Sequence, residues 1–353
     1  SMEVKVDAPD VYRLYIRTPF QREMLELHGD FVMLDSVHKV IHDGLNQLTL
    51  MVIDETGRGI PVGYSLTSRE DEEAWVELLQ YCFRDLDRQL GDTITISDCA
   101  PEIIAACGKL AKKHLLCAFH VTQSINRRLK RGDDWVLKPK PRERRELASK
   151  ILGMFKNLRM TKDRETFWNE WDRFLGLVQT HTGKLLRKGS DGRSSFLSYM
   201  EATWKGKAHM WAAWGRQGVS WHRHDTTNSL ESYFNGQKYH FSDRKRICKL
   251  PNHVRLLVET IVPYFEQRRR DVLCGLAENA RQRRSRNLDE IKQRLMADGM
   301  VHVVKEDIGL GLVPGNNTSD AYEFCLGDLS CTCEDGRVGQ VCIHLEAASE
   351  LLN

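Results

Sequence analysis

The sequence predicts an α/β protein: a mixed sheet flanked by helices, with an α-helical insertion and a small C-terminal zinc-binding domain. Three observations predict it. After an opening helix, the chain to about residue 130 reads as strand, strand, strand, helix, strand, helix, strand, helix. Apolar residues at helical spacing dominate from 131 to 224. Near the C-terminus stand Cys331, Cys333, Cys342 and His344, spaced C-x-C, eight residues, C-x-H. Three meandering strands followed by alternating helices and strands give a mixed sheet with helices on both faces.

The elements follow in order. Thr18-Pro19 opens a helix, with Thr as N-cap and Pro at the first helical position, and Gly29 stops it. This makes residues 1–29 an N-terminal helical segment. Ser1-Met2 reads as a cloning remnant, so the natural protein is expected to extend upstream. Phe31 to Asp35 is a buried strand that ends in an acid, and Leu48 to Ile53 is a second strand. Asp54 to Gly59 is a glycine-rich hairpin turn into a third strand, Ile60 to Leu66. Ser68 is expected to cap the next helix, where Trp75, Leu78, Leu79, Cys82 and Phe83 recur at helical spacing. Thr93 to Ser97 is a fourth strand and also ends in an acid, Asp98. Pro101 starts a helix through Leu110. Leu115 to Phe119 is a fifth strand, followed by a helix from His120 to Leu129. The insertion carries Leu147, Ile151, Leu152, Phe155 and Leu158, then Phe167, Trp168, Trp171, Phe174 and Leu175, all at helical spacing. Gly189 to Gly192 is a loop. Residues 225–298 return to the core, with Asn252 expected to cap a long helix and Pro263 to kink it. Val301–Val304, Gly309–Val313 and Tyr322–Leu326 read as short strands leading into the domain at 299–353.

Three thiols and an imidazole fill a tetrahedral Zn2+ site completely, which makes the C-terminal site structural. Cys325 just upstream reads either as a spare ligand or as a buried thiol. Ten cysteines in 353 residues are too few for a disulfide scaffold. Apolar content of 41% and charged content of 29% fit a globular protein. No apolar run approaches membrane-spanning length. The net charge of +3 hides two basic blocks: residues 121–160 hold 12 Lys or Arg against 4 acids, and 268–286 hold 7 Arg against 2. Such blocks suit phosphate contacts, and each also fits a solvated helix face. Trp135 fits either base stacking or a buried indole.

If the first and fourth strands are neighbours, Asp35 and Asp98 lie side by side at the strand ends, where ligand chemistry collects in open α/β sheets. Paired carboxylates repel unless a cation sits between them, and Mg2+ is the natural occupant. The alternative is two ordinary strand-end aspartates. Glu231 has two readings as well. It is either a third cleft acid or, with Asn228 three residues before it, part of a helix capping box.

Several runs together resemble Mutator-like element (MULE) transposases. They are Asp35-Ser36-Val37-His38-Lys39, "LTLMVIDETGRGIPVGYSLTSREDE", "TISDCAPEIIAAC", Cys117-Ala118-Phe119-His120 and "TTNSLESYFNG". The C-terminal motif resembles a SWIM zinc finger. The resemblance covers roughly residues 18–353 in order. It departs from the common pattern after the first Asp, where a Thr-Tyr pair is replaced by Ser36-Val37-His38. It implies an RNase H-like core, split into 30–130 and 225–298 by the insertion at 131–224, and a SWIM-type finger at 299–353. It further implies an Asp-Asp-Glu site for Mg2+ or Mn2+ formed by Asp35, Asp98 and Glu231. His120 would lie near the scissile phosphate, with Cys117 packing on the fifth strand. His222 and His224 read as surface or core histidines, the alternative being that they reach the cleft. The expected activity is cut-and-paste transposition of double-stranded DNA by a homodimer in the nucleus. The alternatives are a domesticated DNA-binding regulator without cleavage activity, and a nuclease acting on RNA–DNA hybrids.

Overall fold

In the computed structural model, residues 2–8, 11–38, 41, 44–131, 141–182, 196–217, 226–242, 249–277, 290, 292–297, 302–305, 310–314, 321–325, 330–331, 333, 342, 344 and 347–348 are described. The chain divides into two compact units, Ser1–Leu276 and Ala277–Asn353.

The first unit is built on a seven-stranded mixed sheet. Its strands are β1 (Met2–Ala8), β2 (Val11–Ile16), β3 (Phe31–Val37), β4 (Asn46–Ile53), β5 (Gly59–Thr67), β6 (Ile94–Ser97) and β7 (Lys113–Leu116). Their order is β1-β2-β5-β4-β3-β6-β7. The strands from β1 through β3 pair antiparallel, and β3, β6 and β7 run parallel. Helix α1 (Pro19–His28) starts with a capping box: Thr18 Oγ1 accepts from Gln21 N at 3.2 Å and Gln21 Oε1 accepts from Thr18 N at 2.9 Å. At the β4–β5 turn, Asp54 Oδ1 accepts from the amides of Thr56 and Arg58, and Gly57 takes φ of 77°. That conformation is open to glycine at little steric cost. Helices α2 (Glu72–Phe83), α3 (Pro101–Leu110) and α4 (Ala118–Arg131) follow β5, β6 and β7.

Several expectations are corrected. Residues 1–29 are not a helical segment, because β1 and β2 form a hairpin that extends the sheet beyond β5. Asp71, not Ser68, caps α2 by accepting from Ala74 N at 2.9 Å, while Ser68 accepts from Tyr12 N. The fifth predicted strand ends at Leu116, so His120 sits in the first turn of α4.

Arg13 explains why the N-terminal hairpin was missed. A cation in a six-residue strand breaks the apolar pattern, yet its side chain is only 1% exposed. It meets Glu77 at 2.8 Å, Asp71 at 3.2 Å and Glu73 at 3.3 Å, and Tyr15 Oη also donates to Glu77. The cluster fastens α2 to β2. Removing the cation strands the inner carboxylates, so Arg13→Ala is expected to cost about 3–5 kcal/mol in a urea unfolding curve. A loss under about 1 kcal/mol would refute that role.

The insertion holds α5 (Pro141–Arg159), α6 (Arg164–Thr182), a helix from Phe196 that opens into a π turn over Met200–Lys205, which we label α7 (Phe196–Tyr199), and α8 (Ala208–Trp211). Its core is Ile151, Phe155, Leu158, Phe167, Trp171 and Phe174 with the α4 stripe Val121, Ile125 and Leu129. Leu147, Leu152, Trp168 and Leu175 pack half-buried around it. The buried Arg216 donates to Leu116 O and so ties the insertion to the end of β7. The chain then returns through α9 (Asn228–Gly236), a π turn at Gln237–Phe241, and a long helix made of α10 (Leu250–Arg255), a π turn at Leu256–Ile261 and α11 (Val262–Leu273). The long helix starts at Leu250, two residues before the expected cap Asn252. The wider turn lies directly before Pro263, where a proline ring crowds the preceding turn and lacks an N–H.

The second unit holds a four-stranded antiparallel sheet, ordered β11-β10-β9-β8: β8 (His302–Lys305), β9 (Leu310–Pro314), β10 (Ala321–Cys325) and β11 (Ser330–Cys331). Among the described residues no helix is long and apolar enough to cross a membrane. Trp135 and Gly189 to Gly192 lie outside the described residues.

Candidate active site and metal centre

The parallel register of β3 and β6 pairs Phe31 with Ile94, Val32 with Thr95 and Met33 with Ile96. Asp35 and Asp98 each stand two residues beyond the last pair, at one end of the sheet. Asp35 Oδ1 accepts from Ser36 N at 2.8 Å, and Asp98 Oδ1 accepts from Ala100 N at 3.0 Å. Below Asp98, His114 on β7 meets Thr95 Oγ1 at 2.9 Å and Ser97 Oγ at 3.2 Å. Burial pushes His114 down to about 3, which keeps it neutral. Ser97 O also accepts from Cys117 N at 2.7 Å. The ends of β3, β6 and β7 therefore present Asp35, Asp98 and the Cys117–His120 turn along one edge.

Glu231 arrives from α9. No capping box forms: the N-cap position is Thr227, without a side-chain cap. Glu231 Oε1 instead meets His120 Nε2 at 3.2 Å, with side chains 37% and 22% exposed. His120 Nδ1 lies 3.4 Å from Thr227 Oγ1, and Thr227 N donates to Cys117 Sγ at 3.4 Å. The hydrogen bond to Cys117 raises His120 to about 9 against the effect of burial, helped by the charges of Cys117, Asp35 and Asp98. Burial pushes the Cys117 thiol up, but the hydrogen bonds from His120 and Thr227 outweigh it and leave it below the ordinary thiol value. Cys117 is thus more than a packing residue.

Asp35 is raised to about 7, chiefly by burial. The Ser36 amide and His120 oppose the shift, and the charges of Asp98 and Glu231 add to it. The three acids share one electrostatic neighbourhood, but among the described residues the C-terminal Cys/His cluster, and not these acids, is gathered closely enough to hold an ion as it stands. A buried carboxylate that resists ionisation beside two others fits a divalent cation: all donors are hard oxygens, and the strain on the set is negative charge.

Sequence reasoning missed Glu70. Burial raises its carboxyl, Ser36, His38 and Trp75 oppose that, and the charge of Asp98 adds to it. His38 Nδ1 lies 3.6 Å from Glu70 Oε2. The signal was topological: β5 runs parallel to β3 through β4, so the residues after β5 reach the same edge.

The basic blocks divide. Arg268 donates to Gly59 O at 2.9 Å and stacks over Phe265, Arg269 pairs with Glu55, and Arg270 pairs with Glu266 at 3.2 Å. These three guanidiniums are engaged by the protein itself. Arg281, Arg283, Arg284, Arg286, His222 and His224 lie outside the described residues.

In the second unit, Cys331, Cys333, Cys342 and His344 are all buried, and their ligand atoms lie within 4.8 Å of one another. His344 Nδ1 stands 3.8 Å from both Cys331 Sγ and Cys342 Sγ. Three thiols and one imidazole gathered in this way fit a tetrahedral zinc ion. Cys325 is half-buried outside the set and pairs with Ser330 in the β10–β11 register.

Residues 1–90 match the family model described as zinc finger SWIM domain-containing protein 1/3, RNaseH-like domain. No curated protein matches the chain. The protein is thus an RNase H-like mixed sheet flanked by helices, joined to a small domain whose Cys/His cluster fits zinc. The RNase H-like fold is compatible with nucleotidyl-transfer enzymes and suggests nuclease or transposase-like activity.

Proposed function

We propose that this protein is a DNA transposase of the Mutator-like type, cleaving and joining strands at Asp35, Asp98, Glu231 and His120. The observation that carries the proposal is the in-register placement of two aspartates at adjoining parallel strand ends, with a third acid that pairs with the neighbouring His120 instead of capping its own helix. Magnesium or manganese held by the three carboxylates would activate the attacking oxygen and stabilise the leaving one in an in-line displacement.

The chain's own residues prepare that chemistry. The Ser36 and Ala100 amides fix the aspartate rotamers. His120, raised to about 9, is positive at neutral pH and holds Glu231 through Nε2. A phosphodiester bound there would compete for that imidazolium, which would orient a non-bridging oxygen and free Glu231 to join Asp35 and Asp98 in holding a divalent ion. Double-stranded DNA is the substrate. Two copies would hold the two element ends together, and the nucleus is the compartment that supplies such DNA.

The test is magnesium-dependent cleavage of labelled duplex DNA by wild type and Glu231→Gln. The amide keeps the shape of Glu231 and removes its charge. A loss of about a hundredfold or more, with an unchanged melting curve, is expected. Equal cleavage by the two proteins would overturn the assignment.

A further inference from the structure

The first turn of α4 exposes a phenylalanine beside the carboxylate cluster. Phe119 is 44% exposed, and its ring meets the His120 imidazole edge-on at 5.5 Å between centroids. Of the exposed large apolar side chains among the described residues, it is the one covalently adjacent to a cluster residue. Scattered apolar side chains on a surface need no explanation. This one stands against His120, which itself pairs with Glu231, where a polar residue would cost nothing.

The rest of the helix gives the ring a context. Val121, Ile125 and Leu129 form the buried stripe of α4. At 100° per residue, Phe119, Gln123 and Arg127 fall on a second stripe, turned well away from the buried one. Arg127 is exposed and Gln123 half-exposed. Leading away from the cluster, the stripe therefore offers an aromatic face, then an amide, then a guanidinium. Successive members are about 6 Å apart along the axis. An apolar ring followed by polar donors suits a nucleic-acid strand, in which a base stacks and the adjoining backbone is held by hydrogen bonds and charge.

We infer that Phe119 is a stacking platform for a nucleobase displaced from the helix next to the scissile phosphate, so that the substrate is DNA carrying an unstacked nucleotide at the cleavage point. This rests on the proposal that the Asp35, Asp98 and Glu231 cluster acts on DNA. Taking a base out of a paired stack costs a few kcal/mol, least where the base is already unpaired. Bubbled or mismatched DNA should therefore be preferred over a perfect duplex, and Phe119 should set the size of that preference.

The probe is a duplex with one unpaired 2-aminopurine, whose emission falls when it stacks. Binding is followed by anisotropy and emission with calcium as the divalent ion, and cleavage separately with magnesium. Wild type is expected to quench the probe. Phe119→Ala should leave it bright and raise the Kd for bubbled DNA roughly 5- to 100-fold, with little change for perfect duplex. Phe119→Trp should restore quenching, which separates stacking from a folding defect. Arg127→Gln should weaken both DNAs alike and lower the salt slope by about one. Equal quenching and affinity in wild type and Phe119→Ala would overturn the inference, as would a wild type that does not quench. Quenching by wild type without cleavage would leave the stacking role standing and remove the nuclease reading. Cleavage with no dependence on Phe119 would do the reverse.

Discussion

Asp35→Asn is expected to lower magnesium-dependent cleavage about a thousandfold or more, and to stabilise the metal-free first unit above pH 7. Both effects follow from the carboxyl's position. Its pKa in the folded protein, about 7, lies well above its ordinary value, because it is buried beside Asp98 and Glu231. A group raised in this way contributes stability that is fully present below about pH 4 and is lost as pH rises through 7. Asparagine never ionises and loses nothing over that window. The difference between the proteins at pH 8 is on the order of a few kcal/mol, and it disappears near pH 4. Magnesium should reverse the order. At pH 8 it compensates the buried charge and raises the Tm of wild type, whereas at pH 5 it must displace a proton and does less. The variant should show little shift at either pH. Equal magnesium-induced shifts in the two proteins at pH 8 would remove Asp35 from the metal site.

Cys331→Ser should empty the C-terminal cluster of zinc and abolish the cooperative transition of residues 277–353, while the first unit keeps its own. The reason lies in what the core of this unit contains. Among the described residues it consists of Leu295, Val313, Phe324, Cys331, Cys333, Cys342, Ala347 and Ala348. Three of these eight residues are thiols of the cluster, so the described core is built around the metal ligands themselves, and a unit this small commonly needs a metal to hold it. Burial also pushes the Cys331 thiol up to about 12, which disfavours the charged sulfur until a metal binds it. For such a unit, metal binding is folding free energy, about 10–16 kcal/mol in small zinc domains. Metal analysis of the purified variant and two-transition calorimetry provide the check. Full zinc content with an unchanged second transition would exclude Cys331 as a ligand.

The sequence made the parallel half of the sheet legible because its signals are local. A buried strand ending in Asp35, another ending in Asp98, and a helix after each are readable from adjacent residues, and β3–β6 pairing brings the two ends together. The insertion was equally plain, since Phe155, Phe167 and Trp171 repeat at helical spacing and all are buried. What stayed hidden depended on distant partners. The strand Val11–Ile16 looks unsuited to a sheet until Glu77 and Asp71 arrive to neutralise Arg13. Glu231 fits a capping box as well as a cleft acid until His120, from a different helix, decides between them. Glu70 carries no motif, and only the return of β5 to the same edge brings it near Ser36 and His38. The pairing of Cys117 with Thr227 joins residues on opposite sides of the insertion, which no local pattern reports.

That last contact has a consequence for how the protein comes into being. Asp35 and Asp98 precede the insertion, whereas Thr227 and Glu231 follow it. At a typical synthesis rate of roughly 5–20 residues per second, Glu231 leaves the ribosome on the order of ten to forty seconds after Asp35. In the interval the nascent sheet has its buried aspartates but neither α9 nor the partner of His120. The helical insertion thus acts as a timer: a chain that stops before or within it carries an incomplete set of acids, and the third is delivered only after the insertion has been made.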